Sequence, residues 1–135
     1  MSSSTKEVPV ETDLAVRRLV ARYAHLLDDR DFGATAELMT DDGRVIVNGV
    51  SHTGRPAVRA WLEGSYLPAV HLMTNVVVSY GSQPGTAHAV SDVVLLDPVE
   101  GHMGIVATGR YHDTVAGDGR SWRYSQRIIK LRPSG

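Results

Sequence analysis

The chain has 135 residues, of which 42% are hydrophobic and 21% charged, and these values fit one globular domain that buries its own core. The formal net charge of -1 gives no sign of binding to nucleic acid or to a membrane surface, and the absence of cysteine excludes disulfides, thiol catalysis and thiolate metal sites. No apolar run approaches the roughly 18 residues of a membrane-spanning helix, and residues 1–6 lack the apolar core of a signal peptide, so we expect a cytoplasmic protein.

The N-terminal half of the chain predicts three helices. Residues 1–10 are interpreted as a polar, mobile tail ahead of a single domain over residues 11–135. The first helix is predicted to run from Glu11 to about Arg30, because apolar side chains recur there at helical spacing. These side chains are Val16, Leu19, Val20, Tyr23, Leu26 and Leu27.

Shorter elements follow the first helix. A second helix over about 31–39 is followed by a predicted turn at 40–43 and a strand at 44–50. A third helix is predicted to begin near Pro56, because proline is favoured in the first turn of a helix.

The C-terminal half predicts only strands, at 72–80, 86–96, 103–115 and 121–131. A glycine-rich turn at 117–119 joins the last two strands into a hairpin. Helices followed by long antiparallel strands indicate an α+β domain. We expect three helices on one face of a curved, mixed but mostly antiparallel sheet, forming a cone that encloses an apolar pocket.

The strand at 72–80 and the residue before it carry the most informative side chains. Alternation along a strand predicts that His71, Met73, Asn75 and Val77 share one face. A histidine and an amide on an otherwise apolar face indicate a pocket with one titrating group and one hydrogen-bonding group. The alternative for His71 is a half-buried histidine that makes one backbone hydrogen bond.

Three motifs carry a family resemblance across residues 12–132. They are Tyr23 followed by the segment 27–32, the pair Gly54-Arg55 before the third helix, and the segment 71–75 at a strand start. With the order of the elements, these motifs make the chain similar to the SnoaL-like branch of the nuclear-transport-factor-2-like superfamily, which includes polyketide cyclases and related small enzymes.

The resemblance implies a catalytic dyad of His71 and Asp28. This pairing is similar to that of scytalone dehydratase and hexachlorocyclohexane dehydrochlorinase, in which a helix aspartate orients a histidine that removes a proton from a ring carbon. Helical geometry alone does not choose between Asp28 and Asp31, because Asp31 could cap the second helix. The resemblance selects Asp28. Asp29 faces away from the apolar stripe and is interpreted as solvated.

Further side chains are predicted to line the substrate pocket. Tyr23 lies in the apolar stripe of the first helix, where its ring is either core or a pocket wall with a polar hydroxyl. Asn75 could donate to a substrate oxygen, or its amide could satisfy a loop. The apolar walls are predicted to come from Leu27, Met39, Trp61, Tyr66 and Met73.

Other charged residues are given weaker interpretations. Asp92, His88 and His102 are left as open candidates for the site. Arg110 and Arg127 are interpreted as partners of carboxylates on the outer face of the sheet. No histidine spacing resembles a metal site, so no metal and no cofactor are predicted.

Two classes of function follow from these observations. The first is a cofactor-independent dehydratase, isomerase or cyclase, a lyase or isomerase that acts on a small, largely apolar, cyclic or polyketide-derived substrate. The second is a non-catalytic ligand-binding or dimeric interaction module on the same fold. Either is predicted to form a homodimer through the exposed face of the sheet, without a nucleic-acid or membrane partner.

Overall fold

The computed structural model describes residues 7–65, 69–117 and 121–133. In chain order its elements are α1 (Val10–Asp28), α2 (Phe32–Glu37), β1 (Met39–Val47), β2 (Val50–Thr53), α3 (Arg55–Ser65), β3 (Val70–Tyr80), β4 (Thr86–Val99), β5 (His102–Gly117) and β6 (Trp122–Pro133). No helix in these segments is long and apolar enough to cross a membrane.

The sheet has six strands in the order β2-β1-β6-β5-β4-β3. Only the pair β1–β6 is parallel; the other four neighbouring pairs are antiparallel. The sheet is curved and does not close, and the helices pack against its inner face. The predicted α+β class with a mostly antiparallel sheet is therefore confirmed.

The two N-terminal helices form where their sequence pattern predicts them. The apolar stripe of α1 buries Val16, Leu19 and Tyr23 against the sheet. Asp31 begins α2 as its N-cap, because its side chain accepts a hydrogen bond from the backbone N–H of Ala34 at 3.1 Å. Residues 1–6 of the predicted tail lie outside the described residues, and Val8, within that prediction, is buried.

The predicted turn at 40–43 is wrong, because this segment belongs to β1. Met39 pairs with Tyr124 of β6 and Arg44 with Gln126, so residues 40–43 form a bulge within β1 and not a separate turn. The predicted strand at 44–50 is also divided. Asn48 and Gly49 both have positive φ, 47° and 89°, and make a two-residue turn between β1 and β2.

A β-bulge in β3 changes the face that its side chains occupy. His71 pairs with Leu95 and Met73 with Val93, but the register shifts after Thr74, and Asn75 has a φ of 53°. The prediction that His71, Met73, Asn75 and Val77 share one face is therefore wrong beyond Met73. Val77 is 63% exposed because the extra residue turns it outward.

Candidate functional site

An apolar cavity of about 80 Å³ lies between the helices and the inner face of the sheet. It is lined by Tyr23, Leu27, Val47, Trp61, Leu62, His71, Leu95, Tyr111, Ile129 and Leu131. Among these side chains only His71, Tyr23, Tyr111 and Trp61 carry a polar atom, and the other six are aliphatic. A dry wall of this kind suits a small, largely apolar molecule.

The predicted wall residues fall into two groups in the structure. Leu27, Trp61 and Tyr23 line the cavity. Met39 is instead fully buried in the core, and Met73 packs against that core rather than lining the cavity. Tyr66 lies outside the described residues.

Asp28 and His71 meet where the end of α1 lies against the start of β3. The Nδ1 atom of His71 is 2.7 Å from Oδ1 of Asp28. The backbone N–H of His71 also donates to both carboxylate oxygens of Asp28, each at 3.2 Å. One carboxylate thus holds both the strand and the ring, and only 12% of the His71 side chain is exposed.

These contacts set the protonation of His71. A carboxylate only accepts hydrogen bonds, so Nδ1 donates and Nε2 is the ring nitrogen that Asp28 does not engage. Burial lowers the pKa of His71 below its usual value, although the hydrogen bond and negative charge of Asp28 act in the opposite direction. The imidazole is therefore neutral near pH 7 and can accept a proton.

A buried ion pair lies next to the cavity on the inner face of the sheet. Arg127 is 1% exposed, and its Nε and Nη2 atoms donate to the two carboxylate oxygens of Asp113 at 2.9 and 3.2 Å. The guanidinium carbon also lies 4.3 to 4.4 Å from the ring centroids of Tyr23, Tyr111 and Tyr124. The interpretation of Arg127 as an outer-face residue is wrong, because Arg127 alternates with the inward Ile129 along β6 and pairs in register with the buried Asp113.

The three tyrosines stay protonated in this cluster. Burial raises the pKa of Tyr23 and of Tyr111, although the positive charge of Arg127 acts in the opposite direction in both cases. The same balance raises the pKa of Tyr124. Among the described residues, the buried hydroxyl of Tyr124 has no hydrogen-bond partner, and Arg127 acts on the pKa of Tyr23 through a hydrogen bond as well as through its charge. Each phenol is thus a hydrogen-bond donor at neutral pH.

Asn75 does not reach the cavity. Its Nδ2 atom donates to Oδ2 of Asp92 at 3.0 Å on the outer face, where Nε of Arg110 also donates to Asp92 at 2.7 Å. The hydrogen bond from Arg110, with that from Asn75, lowers the pKa of Asp92 to about 2. The predicted contact between Asn75 and a pocket ligand is therefore wrong, and the β-bulge is the reason.

The three residues left as open candidates, Asp92, His88 and His102, also lie away from the cavity. Asp92 pairs with Arg110, as the outer-face interpretation of Arg110 predicted. The Nδ1 atom of His88 is 3.4 Å from Oγ1 of Thr114, and His102 is exposed at the start of β5. None of these three lines the cavity. Within the described segments, no three His, Asp or Glu side chains could together hold a metal ion.

Sequence reasoning missed two inward residues of β5, Tyr111 and Asp113. A signal was available, because the segment 109–113 alternates, and its odd-numbered positions share one face. Which of the two faces pointed inward could not be read from the segment alone.

Comparisons with known proteins agree with this fold. The family model for the SnoaL-like domain matches residues 9–128. No curated protein matches the chain. An NTF2-like protein with a cystatin-like fold from Novosphingobium aromaticivorans is 27% identical, with a TM-score of 0.81, over 93% of this chain and 85% of that one.

Two further solved structures share the fold at lower identity. A protein from Novosphingobium aromaticivorans that is assigned as a scytalone dehydratase is 24% identical, with a TM-score of 0.75, over 90% of this chain and 84% of that one. A protein from Catenulispora acidiphila, in complex with S-DNPA, is 18% identical, with a TM-score of 0.78, over 91% of this chain and 95% of that one.

Proposed function

Because this chain belongs to the SnoaL-like domain family, which includes polyketide cyclases and scytalone dehydratase, we propose that it is a cofactor-independent enzyme of the dehydratase, isomerase or cyclase kind. The observation that carries the proposal is the 2.7 Å contact between Nδ1 of His71 and Asp28 at the wall of an apolar cavity. A buried histidine held by a carboxylate is the arrangement that general-base catalysis needs.

The proposed reaction begins with proton transfer from carbon to Nε2 of His71. The electron pair of the broken C–H bond forms a double bond to the neighbouring carbon, which is a carbonyl carbon or bears a leaving group. In an isomerisation or cyclisation the carbonyl oxygen receives the displaced pair, and in an elimination the leaving group departs with it. Asp28 stabilises the imidazolium that forms, as in other carboxylate–histidine pairs.

The walls of the cavity support a small, largely apolar substrate. Leu27, Trp61 and Leu95 exclude water from the reacting atoms, which strengthens every electrostatic interaction there. Tyr23 lines the cavity, and its phenol is the donor proposed for the substrate oxygen. A flat cyclic or polyketide-derived compound fits these contacts, and a relative assigned as a scytalone dehydratase favours the same class.

The pH dependence of turnover tests this proposal. Because burial lowers the pKa of His71, kcat/KM is expected to rise with pH and level off above an apparent pKa that lies below 6.5. The basic form is the active one, so activity falls as acid protonates the imidazole. The measurement is kcat/KM from pH 4.5 to 9 on a panel of cyclic ketones and hydroxy compounds.

A kcat/KM that does not fall at low pH would contradict the proposal. Ligand binding without turnover of any compound would instead favour a binding module on the same fold.

We also propose that the protein works in the cytoplasm as a homodimer joined by the outer face of the sheet. Its lack of cysteine suits a reducing compartment. On that face, Leu72 is 43% and Val77 63% exposed. Closed two-fold pairing is the commonest way to bury such a surface.

Analytical ultracentrifugation at micromolar concentration is expected to give twice the mass of one chain. Val77→Glu should shift the protein toward the monomer, because a charge would be buried at the interface. Leu14→Glu is the matched control, since Leu14 is 48% exposed on α1. A wild-type monomer, or equal dissociation by both variants, would refute the interface.

A further inference from the structure

The cavity offers a second hydrogen-bond donor that the sequence did not identify. The lining residues that carry a polar atom are His71, Tyr23, Tyr111 and Trp61. Asn75 was the predicted second donor, but its amide is held by Asp92 on the opposite face. Tyr111 lies at the centre of β5, on the inner face, and reaches the same cavity as His71.

Tyr111 is held in place by its two neighbouring strands and by the side chain of Arg127. Its backbone lies in register with Ser91 of β4 and Ile129 of β6, so the residue is fixed within the sheet. The guanidinium of Arg127 lies 4.4 Å from the ring centroid, and Asp113 holds that guanidinium by two hydrogen bonds. A ring held in this way has little freedom to move, so Tyr111 is a preorganised part of the cavity wall.

We propose that Tyr111 is a further catalytic residue, whose hydroxyl donates a hydrogen bond to the substrate oxygen that gains negative charge when His71 removes the proton. This inference rests on the proposed function. The proton stays on Tyr111 while the displaced electron pair resides on the substrate oxygen, and return of the proton from Nε2 of His71 to carbon restores neutrality. The substrate class is a neutral compound with a carbonyl carbon next to the acidic C–H group.

The surroundings of Tyr111 suit this role. Burial keeps the phenol protonated, so the donor is present throughout the pH range in which His71 is neutral. The positive charge of Arg127 against the ring favours negative charge at the hydroxyl end. A donor placed in advance in a dry site stabilises the developing charge more than water would.

Tyr124 supplies a matched control within the same cluster. Its ring centroid is also 4.4 Å from the Arg127 guanidinium carbon, and its buried hydroxyl has no partner among the described residues. Tyr124 does not line the cavity, however. Tyr124→Phe therefore removes a phenol hydroxyl from the same charge environment without changing the site.

The kinetic test compares Tyr111→Phe with Tyr124→Phe. Loss of one such donor lowers kcat by roughly 10²–10³-fold, so we expect this fall in Tyr111→Phe with KM changed only slightly. The pH at which kcat/KM levels off should stay the same, because the base is intact. Tyr124→Phe should keep its kcat. Equal losses in both variants, or none in Tyr111→Phe, would overturn the proposal.

A binding test does not depend on turnover. The probes are 4-nitrophenolate, used at a pH above the pKa of the phenol so that its oxygen is anionic, and nitrobenzene, its neutral analogue without that oxygen. Affinities are measured by calorimetry. Wild type should bind nitrophenol more tightly, Tyr111→Phe should lose most of that preference, and Tyr124→Phe should keep it. If wild type showed no preference for the anionic probe, or if Tyr111→Phe kept that preference, the proposed role of Tyr111 as a hydrogen-bond donor would be wrong. A preference that depends on Tyr111 in a protein that turns over no substrate would refute only the proposed reaction.

Discussion

Asp28→Asn is expected to lower turnover by roughly 10²–10⁴-fold, which is the usual contribution of a positioned general base, and His71→Ala should cost a similar factor. An asparagine at position 28 still accepts the hydrogen bond from the backbone N–H of His71. The neutral asparagine does not stabilise the imidazolium, and its amide group can favour the other tautomer of the His71 ring. The expected loss therefore lies in kcat, with substrate binding little changed.

Asp29→Asn is the matched control for this prediction. Asp29 is the next residue in the chain and is exposed, so Asp29→Asn also removes one negative charge but leaves the contacts of His71 unchanged. Turnover of Asp29→Asn should equal that of wild type. Thermal unfolding of all three variants should occur near the wild-type temperature, which separates loss of the base from loss of the fold. Unchanged turnover in Asp28→Asn would rule out the dyad even if His71→Ala were inactive.

Asp113→Asn is expected to destabilise the fold by about 3–5 kcal/mol, the cost of leaving one member of a buried ion pair without its partner. Arg127 is 1% exposed, and Asp113 is its only hydrogen-bonded counter-charge among the described residues. Although burial opposes the charged guanidinium, Asp113 raises the pKa of Arg127. Asp113→Asn therefore leaves a positive charge that can neither reach water nor lose its proton. The free energy of unfolding in urea measures the effect.

Asp92→Asn is the control, because the chain contains a second aspartate–arginine pair on neighbouring strands. The side chain of Arg110 in that pair is 56% exposed, so water screens its interaction with Asp92, and the effect on unfolding should be far smaller. A double variant, Asp113→Leu with Arg127→Met, should recover much of the loss by removing both charges. If Asp113→Asn cost no more than Asp92→Asn, the buried pair would not be what stabilises the inner face.

Local sequence patterns account for the N-terminal helices and for the fold class of this protein. The helical spacing of apolar residues identified α1, and the cap at Asp31 identified α2, because both depend on residues within one or two turns of each other. The strand pattern and the element order indicated the α+β class. The contact between Asp28 and His71 was expected from the family resemblance and not from spacing, since the two residues are 43 positions apart.

The direction in which the strand residues face depends on tertiary structure. Alternation is a local rule, but a β-bulge adds one residue and reverses the faces beyond it, and bulges form where strands from distant parts of the chain are paired. One bulge sends Asn75 outward to Asp92. The register of β5 with β6 places Arg127 opposite the inward Asp113. Which polar side chains face the cavity side of the sheet therefore depends on the registers of β3 with β4 and of β5 with β6. The reason is that pairing between strands, and not the sequence of either strand alone, sets the face that each side chain occupies.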